Sequence, residues 1–499
     1  MVQMMLLLLL SSTTIALASF GPAVRVDHQN LPDHMCYKCA MTIGPGAASS
    51  QTIYVVFEDD SALYVRADII FQKSTDGGRT WLPTDLLIRR GERYASNPDI
   101  TTDAVGNVYI VYLVTYADTA GGSDDQVLCT RSSDGGATWS APTRVDEEAR
   151  GGIGLIHIVA DTAGNLFVAW NQFPGGLSHV FTSVSTDRGA TWSPRVCVDE
   201  DTLTDESNHD AVFVQPGTNH YLVAATTYRE GHNRPCAFLY RSTDRGQTFE
   251  PGVQLDTFND ASSADVVADR NHIICDYFGS GRINQDTIIA ESRTFYTQAD
   301  SWGSPVRVTN LDSLHELYNS GTLALSGDGR VHTALAVLDP PVLCAVHCYN
   351  IYYSSSSDYG VSWSDLEPVY EDTTRDNWYP DIVADVAGYA YVVWERGGGD
   401  GRIWFSTNNP AGIAEEPMQQ PTSVQPIATV VRNVLFLAEC PSSSLGASCL
   451  LDVGGRQVMA LQSGANDVSR LSPGVYFVRS EPSAVSRQPS AVTKVVVTR

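Results

Sequence analysis

An eight-residue phrase recurs five times along this chain: Ser, any residue, Asp, any residue, Gly, any residue, Thr or Ser, then an aromatic. The copies are Ser74 to Trp81 (STDGGRTW), Ser132 to Trp139 (SSDGGATW), Ser185 to Trp192 (STDRGATW), Ser242 to Phe249 (STDRGQTF) and Ser356 to Trp363 (SSDYGVSW). Their starts lie 58, 53, 57 and 114 residues apart, the last interval being twice 57. A fixed period in this range is the signature of a repeat architecture, in which one supersecondary unit is stacked many times. The phrase itself has a physical reading. Ser and Asp side chains bond nearby backbone N–H groups, and Gly permits positive φ, so the box pins a turn. Its aromatic residue is then placed to pack between neighbouring units.

Around each box lie alternating, β-branched runs separated by Gly and Asn turns, which read as strands. PDITTD (98–103) precedes VYIVYL (108–113), IHIVAD (156–161) precedes LFVAW (166–170), and YPDIVAD (379–385) precedes AYVVWE (390–395). A third strand runs into the box and a fourth leaves it toward an Arg-Val-Asp phrase, as in WSAPTRVD (139–146). Seven such units can be counted. Two of them have worn boxes, near Thr297 to Trp302 and Ser406 to Asn409. Seven four-stranded units predict an all-β protein, a β-propeller with seven blades, six being the alternative. The chain lacks a good fourth strand after Ser406, whereas Val24-Arg25-Val26-Asp27 copies the phrase of the fourth strands. The N-terminal segment is therefore expected to complete the last blade.

The chain divides into 1–18, 19–410, 411–428 and 429–499. Residues 1–18 carry an apolar stretch too short to span a bilayer, ending in Ala16-Leu17-Ala18, and read as a signal peptide. Residues 19–410 form the propeller. Residues 411–428 are rich in Pro, Gln and Glu, a linker composition. Residues 429–499 resume as short strands without the box, a small β-sandwich. The 57 acidic against 32 basic residues give a net charge of −25, which disfavours nucleic acid and anionic membrane as partners. Calcium is the alternative reading of that acidity, but no twelve-residue calcium loop supports it, so no cofactor and no metal are expected. Ten cysteines in an exported chain suit disulfides or unpaired thiols. Cys36 and Cys39 beside His34, and Cys344 and Cys348 around His347, keep zinc as an alternative. Cys440 and Cys449 share the small domain and are placed to pair.

The five boxes resemble those of the Asp-box, or bacterial neuraminidase repeat, family, over roughly residues 24 to 410. The family includes sialidases, other glycoside hydrolases, glycan-binding propellers and non-catalytic proteins, so membership alone does not give an activity. The C-terminal domain resembles the sorting domain of type IX secretion. The resemblance lies in Asp452 to Val458 (DVGGRQV), Leu471 to Phe477 (LSPGVYF) and Lys494 to Val497 (KVVV). It implies export to the outside of the cell, the secretion machinery as a partner, and removal of the tail. The expected product is a secreted or cell-surface monomer whose partner is an extracellular glycan or glycoprotein.

In a propeller of this kind the loops entering each innermost strand share one face with the loops between second and third strands. The box turns lie opposite. Loops of the first face gather Arg, Glu, Asp, His, Tyr and Trp around one mouth, where a ligand pocket is expected. The resemblance implies, for a sialidase, three arginines on the substrate carboxylate, a Tyr nucleophile activated by a Glu, and an Asp acid, an exception to two-carboxylate glycoside chemistry. Arginine suits the first task because its planar fork binds a carboxylate bidentately. Catalytic candidates on this face are Tyr318 with Glu316, Asp210, and the arginines Arg229, Arg282, Arg375 and Arg396. Binding candidates are His209, His315, Trp378, Tyr379 and Arg93. Asp99 and Asp381 recur at one point of the repeat, which fits a blade-to-blade bond. The sialidase F/Y-R-I-P phrase is missing, and the corresponding region reads DHMCYKCAMTIGPG (33–46). Two functions follow: an exo-glycosidase of sialidase type, or a non-catalytic propeller that binds glycan or protein.

Overall fold

The computed structural model describes residues 20–28, 34–45, 51–61, 67–90, 94–117, 123–147, 152–199, 206–228, 234–256, 261–280, 288–309, 316–338, 348–372, 374–397, 401–410, 429–431, 434–437, 448–451, 456–461, 464–468, 470–480 and 492–497. The signal peptide expected at 1–18, the linker expected at 411–428 and the pairing expected of Cys440 with Cys449 lie outside them. The chain divides into two compact units, Met1–Ala414 and Glu415–Arg499.

The first unit is a seven-bladed β-propeller. Blade 1 comprises His34–Ile43, Ile53–Ser61, Ala67–Ser74 and Leu86–Arg89, paired antiparallel in that order. The innermost strands of blades 2 to 7 are Tyr94–Thr102, Ile153–Ala160, Glu206–Val214, Ala261–Ala268, Glu316–Leu325 and Asn377–Ala384. Blade 5, whose box is worn, has its outer strand broken into Ser301–Trp302 and Val306–Arg307, both paired to the third strand. Blade 7 takes its outer strand from the N-terminus, with Val24 opposite Phe405 and Arg25 opposite Trp404. The ring closes as the Arg-Val-Asp phrase predicted.

Both faces of each blade press on a neighbour, so second strands such as Leu166–Gln172 are buried along their whole length. That double burial is why they read as continuous apolar runs. The core is a set of seams between blades; one of them packs Tyr109, Val111, Trp170 and Phe181 together.

Each box repeats one geometry. In blade 2 the Ser132 hydroxyl donates to Asp134 Oδ1 (2.7 Å) and accepts the Gly136 amide (2.7 Å). Asp134 in turn accepts the amide (2.9 Å) and hydroxyl (2.6 Å) of Thr138. The hydroxyl bonds from Thr138 and Thr191 lead in holding Asp134 and Asp187 below the usual carboxylate range. The aromatic residue reaches the preceding blade: Trp363 donates to Ser292 Oγ at 2.9 Å, and Trp81 packs edge-on to Phe405.

Innermost strands present an unpaired edge to the axis, whose amides need partners. Asp99 accepts the amide of Ile158 in blade 3, Asp265 that of Leu323 in blade 6, and Asp381 that of Met41 in blade 1, each at 2.7 Å. Asp99 and Asp381 thus make the blade-to-blade bond expected of them. Burial pushes all three carboxyls up to about 7, against those amide bonds. They also sense one another, since Asp99 raises Asp381 and Asp381 raises Asp265.

An aspartate in the unfolded chain loses its proton near pH about 4. Between there and about 7 the folded state holds more protons. The stability from these groups is therefore complete below the unfolded pKa and is lost as pH rises through about 7. Asp381→Asn is expected to flatten that decline, and urea midpoints between pH 4 and 8 measure it. A wild-type slope unchanged by the substitution would refute the assignment.

In the second unit, Thr429–Val431, Val492–Val497, Gly474–Ser480, Ser448–Leu451 and Gln457–Leu461 form one sheet. Val434–Leu437 pairs separately with Gly464–Asp467. Leu450, Leu461, Val468 and Tyr476 make its small core.

Candidate functional site

Near its start, the innermost strand of every blade breaks register. The breaks fall at Tyr37/Ala40, Ser96/Asp99, Ile153/Ile156, His209/Ala211, Ala261/Ser263, Leu317/Gly321 and Trp378/Asp381. Such bulges bend a strand and re-aim a side chain. In three consecutive blades the bulge holds a non-glycine residue in the left-handed region: Tyr379 (φ 47), Lys38 (φ 48) and Asn97 (φ 49). That conformation costs on the order of 1 kcal/mol or more and persists only where neighbours impose it.

The imposing groups come from the preceding blade. Glu58 Oε1 accepts the Asn97 amide at 2.6 Å, and Glu395 accepts the Lys38 amide. Asn171 Oδ1 accepts the His209 amide at 3.0 Å in the same way. Lys38 then spans the seam of blades 1 and 2, donating to Asn97 Oδ1 at 2.9 Å and lying 3.3 Å from Glu58 Oε1. Asn97 continues the chain of contacts to the Gly154 carbonyl at 3.2 Å. Tyr37 donates to Asp60 Oδ2 at 3.5 Å and shares Glu58.

The electrostatics follow from burial. Glu58, only 1% exposed, is raised by burial, with Lys38 and the Asn97 amide opposing. Glu395 is raised by burial to about 7, and the Glu58 charge adds to the rise. Burial, then Glu58 and Asp60, push the Tyr37 phenol up. Glu395 therefore retains a proton close to neutrality, while Lys38 stands exposed beside it.

Exposed apolar side chains gather on the same face. Tyr379 is 44% exposed, Tyr228 40% and Phe173 38%, at the ends of strands in blades 7, 4 and 3. Trp378 packs so closely over Gly397 that a Cβ there would lie 2.8 Å from its ring.

The five boxes, their repeated hydrogen bonds and the seven blades now stand together, and residues 65–275 match the family model described as a BNR repeat-like domain. The match lies within the seven-bladed propeller. No curated protein matches the chain. Among solved structures, it is similar to a protein of unknown function from Dyadobacter fermentans (14% identity, 79% of this chain and 99% of that one, TM-score 0.48). It is also similar to the Hadza microbial sialidase Hz136 (14%, 73% and 77%, TM-score 0.44). A third is the Penicillium chrysogenum alpha-L-arabinanase complexed with arabinobiose (13%, 63% and 92%, TM-score 0.43).

In this propeller the residues singled out by sequence occupy distinct places. Arg93, Arg229, Arg282 and His315 lie outside the described residues. Glu316 and Tyr318 fall on the innermost strand of blade 6, but their side chains are outside the description. Arg396 is ion-paired to Asp372 and stacked 5.4 Å from the Trp404 ring. The Arg375 carbonyl accepts from Asn377 at 3.3 Å. Asp210 sits in the blade 4 bulge, pushed well up by burial against bonds from Thr226 and Ala264. His209 is fully buried, edge-on to His157 at 5.0 Å and bonded through its ring to Asn171. Burial drives His157 down to about 4 and His209 well below its ordinary value, so both rings are neutral at neutral pH. Trp378 and Tyr379 share the mouth with Lys38, Asn97, Tyr37, Glu58 and Glu395, which were not singled out. The signal for the last two was an acid near the end of a second strand (EDD at 58–60, WER at 394–396). Cys36 and Cys39 are free thiols, and Cys348 is disulfide-bonded.

Proposed function

We propose that this chain is an exported propeller that binds an extracellular glycan over the mouth of blades 7, 1 and 2. One observation carries the reading: Tyr379, Lys38 and Asn97 occupy the same bulge of three consecutive blades, each in the left-handed region. The exposed Tyr379 ring and its neighbour Trp378 offer an apolar platform for the C–H face of a sugar. Lys38 and Asn97 supply donors and an acceptor for its hydroxyls. Glu58 and Glu395 support this surface from behind.

Screening against glycans, followed by calorimetry on the best binder, tests the reading. Tyr379→Ala is expected to weaken binding by at least about tenfold, about 1.4 kcal/mol, with an unchanged urea midpoint. Lys38→Ala is expected to weaken it in parallel. Retained affinity in both variants would refute this site.

A hydrolytic reading, an exo-glycosidase of sialidase type, is favoured by Glu395, whose proton near neutrality suits a general acid. Turnover on a panel of glycosides, abolished by Glu395→Gln, would establish it. Binding without turnover on that panel would leave the non-catalytic form. The signal peptide and sorting domain complete the proposal. Deletion of residues 429–499 is expected to keep the propeller inside the cell, read by fractionation.

A further inference from the structure

In blades 2, 3, 4 and 7 an aspartate just after the outer strand accepts an amide of the third strand, in blade 4 Asp256 from Ala237 at 2.9 Å with Gln254 where the arginine would stand. Asp146 accepts from Val127 at 2.7 Å, Asp27 from Ile403 at 2.9 Å and Asp199 from Val180 at 3.1 Å. Two of these carboxylates are neutralised by the arginine two residues earlier. Arg144 reaches Asp146 at 2.7 Å, and Arg25 reaches Asp27 with its Nε at 3.1 Å. Blade 3 departs from this arrangement at two positions together. Cys197 takes the place of the arginine, and His179 stands where blade 2 has Gln126 and blade 7 has Arg402.

The result is a buried carboxylate faced by an imidazole and a thiol. His179 and Asp199 are each 4% exposed. His179 Nδ1 lies 2.9 Å from Asp199 Oδ2, and Cys197 Sγ lies 3.3 Å from Asp199 Oδ1. One ligand atom from each of the three lies within 4.8 Å of the others. Donors around a tetrahedral zinc, at bond lengths of about 2.0–2.3 Å, stand roughly 3.3–3.6 Å apart. Shifts of about an ångström or less would therefore seat the ion.

We propose that His179, Cys197 and Asp199 form a zinc-type site on blade 3, in which a divalent cation supplies the charge that arginine supplies in blades 2 and 7. The donor set selects the metal. One nitrogen, one sulfur and one carboxylate oxygen suit zinc, whereas calcium requires six to eight oxygens. Binding exchanges the Cys197 thiol proton for the metal, the proton leaving to solvent, and a water can fill the fourth position.

The test is titration of the metal-free full chain with Zn2+ and Co2+. One equivalent is expected to bind, and Co2+ is expected to give a thiolate charge-transfer band with tetrahedral visible absorption. Cys197→Ser should abolish the band, and His179→Gln should weaken binding at least about tenfold. Cys236→Ser, at the His179 position of blade 4, should leave both intact. X-ray absorption of the zinc-loaded wild type needs no variant and should show one sulfur at about 2.3 Å. Absence of that sulfur, or a band surviving in Cys197→Ser, would overturn the proposal. In either case the carboxylate is held by its hydrogen bonds with His179, Cys197 and the Val180 amide.

Discussion

Gly78→Ala is expected to destabilise the propeller by about 3–5 kcal/mol, among the largest effects of any single methyl group in this chain. Two costs add. Gly78 adopts φ +94°, a conformation that strains any L side chain, and a Cβ there would lie 2.0 Å from the Phe405 ring. Phe405 cannot retreat, because it is buried between Trp81 and Tyr391 at the seam where the ring closes. Gly189 provides the control. Its φ of +82° is equivalent, but its nearest neighbour, Leu166 Cδ1, is 3.3 Å away. Gly189→Ala should therefore cost only the backbone share, about 1–2 kcal/mol. Urea midpoints of the two variants measure the difference. Equal losses would mean that the seam accommodates the methyl group and that the contact with Phe405 is not a constraint.

Asp27→Ala is expected to loosen the last blade and to cost about 3 kcal/mol or more. The carboxylate is 2% exposed, accepts the Ile403 amide and faces both Arg25 and Arg402. Its removal leaves the buried Arg402 guanidinium without this counter-charge and the third strand of blade 7 without its cap. The site matters because Val24–Arg25 is the only covalently remote strand among the described blades, so its pairing must be held by contacts alone. Hydrogen exchange should accelerate selectively at Arg402–Thr407. Asp146→Ala removes the same cap from blade 2, where the chain continues unbroken from third to fourth strand, and should cost less and leave the ring closed. Uniform exchange across all blades in Asp27→Ala would contradict this account.

These two seams differ in how far the sequence marks them. Closure by the N-terminal strand was legible because its Arg-Val-Asp phrase copies the ends of other blades. The collision at Gly78 was not, since Phe405 lies more than three hundred residues away and no local pattern marks it. The mouth shows the same division. Trp378 stands out because it departs from the repeat, whereas Lys38 and Asn97 look ordinary in the sequence. Their conformation is set by Glu395 and Glu58, carboxylates on the preceding blades. Asp99 and Asp381 show why recurrence is a guide to duty, for the inner-edge amides they satisfy recur as regularly as they do.

The sequence by itself determined the repeat, the propeller architecture, the closing strand and the face on which the boxes lie. All of these rest on local turn chemistry and strand periodicity, which neighbouring residues dictate. Only the tertiary structure decided which side chains meet across the seams. It brought Lys38 to Asn97, and it aimed three bulges at one mouth. It also set His179 beside Cys197 and Asp199 where blades 2 and 7 keep an arginine. Such contacts join residues on different strands or different blades, and close packing brings them together by distances that no periodicity encodes.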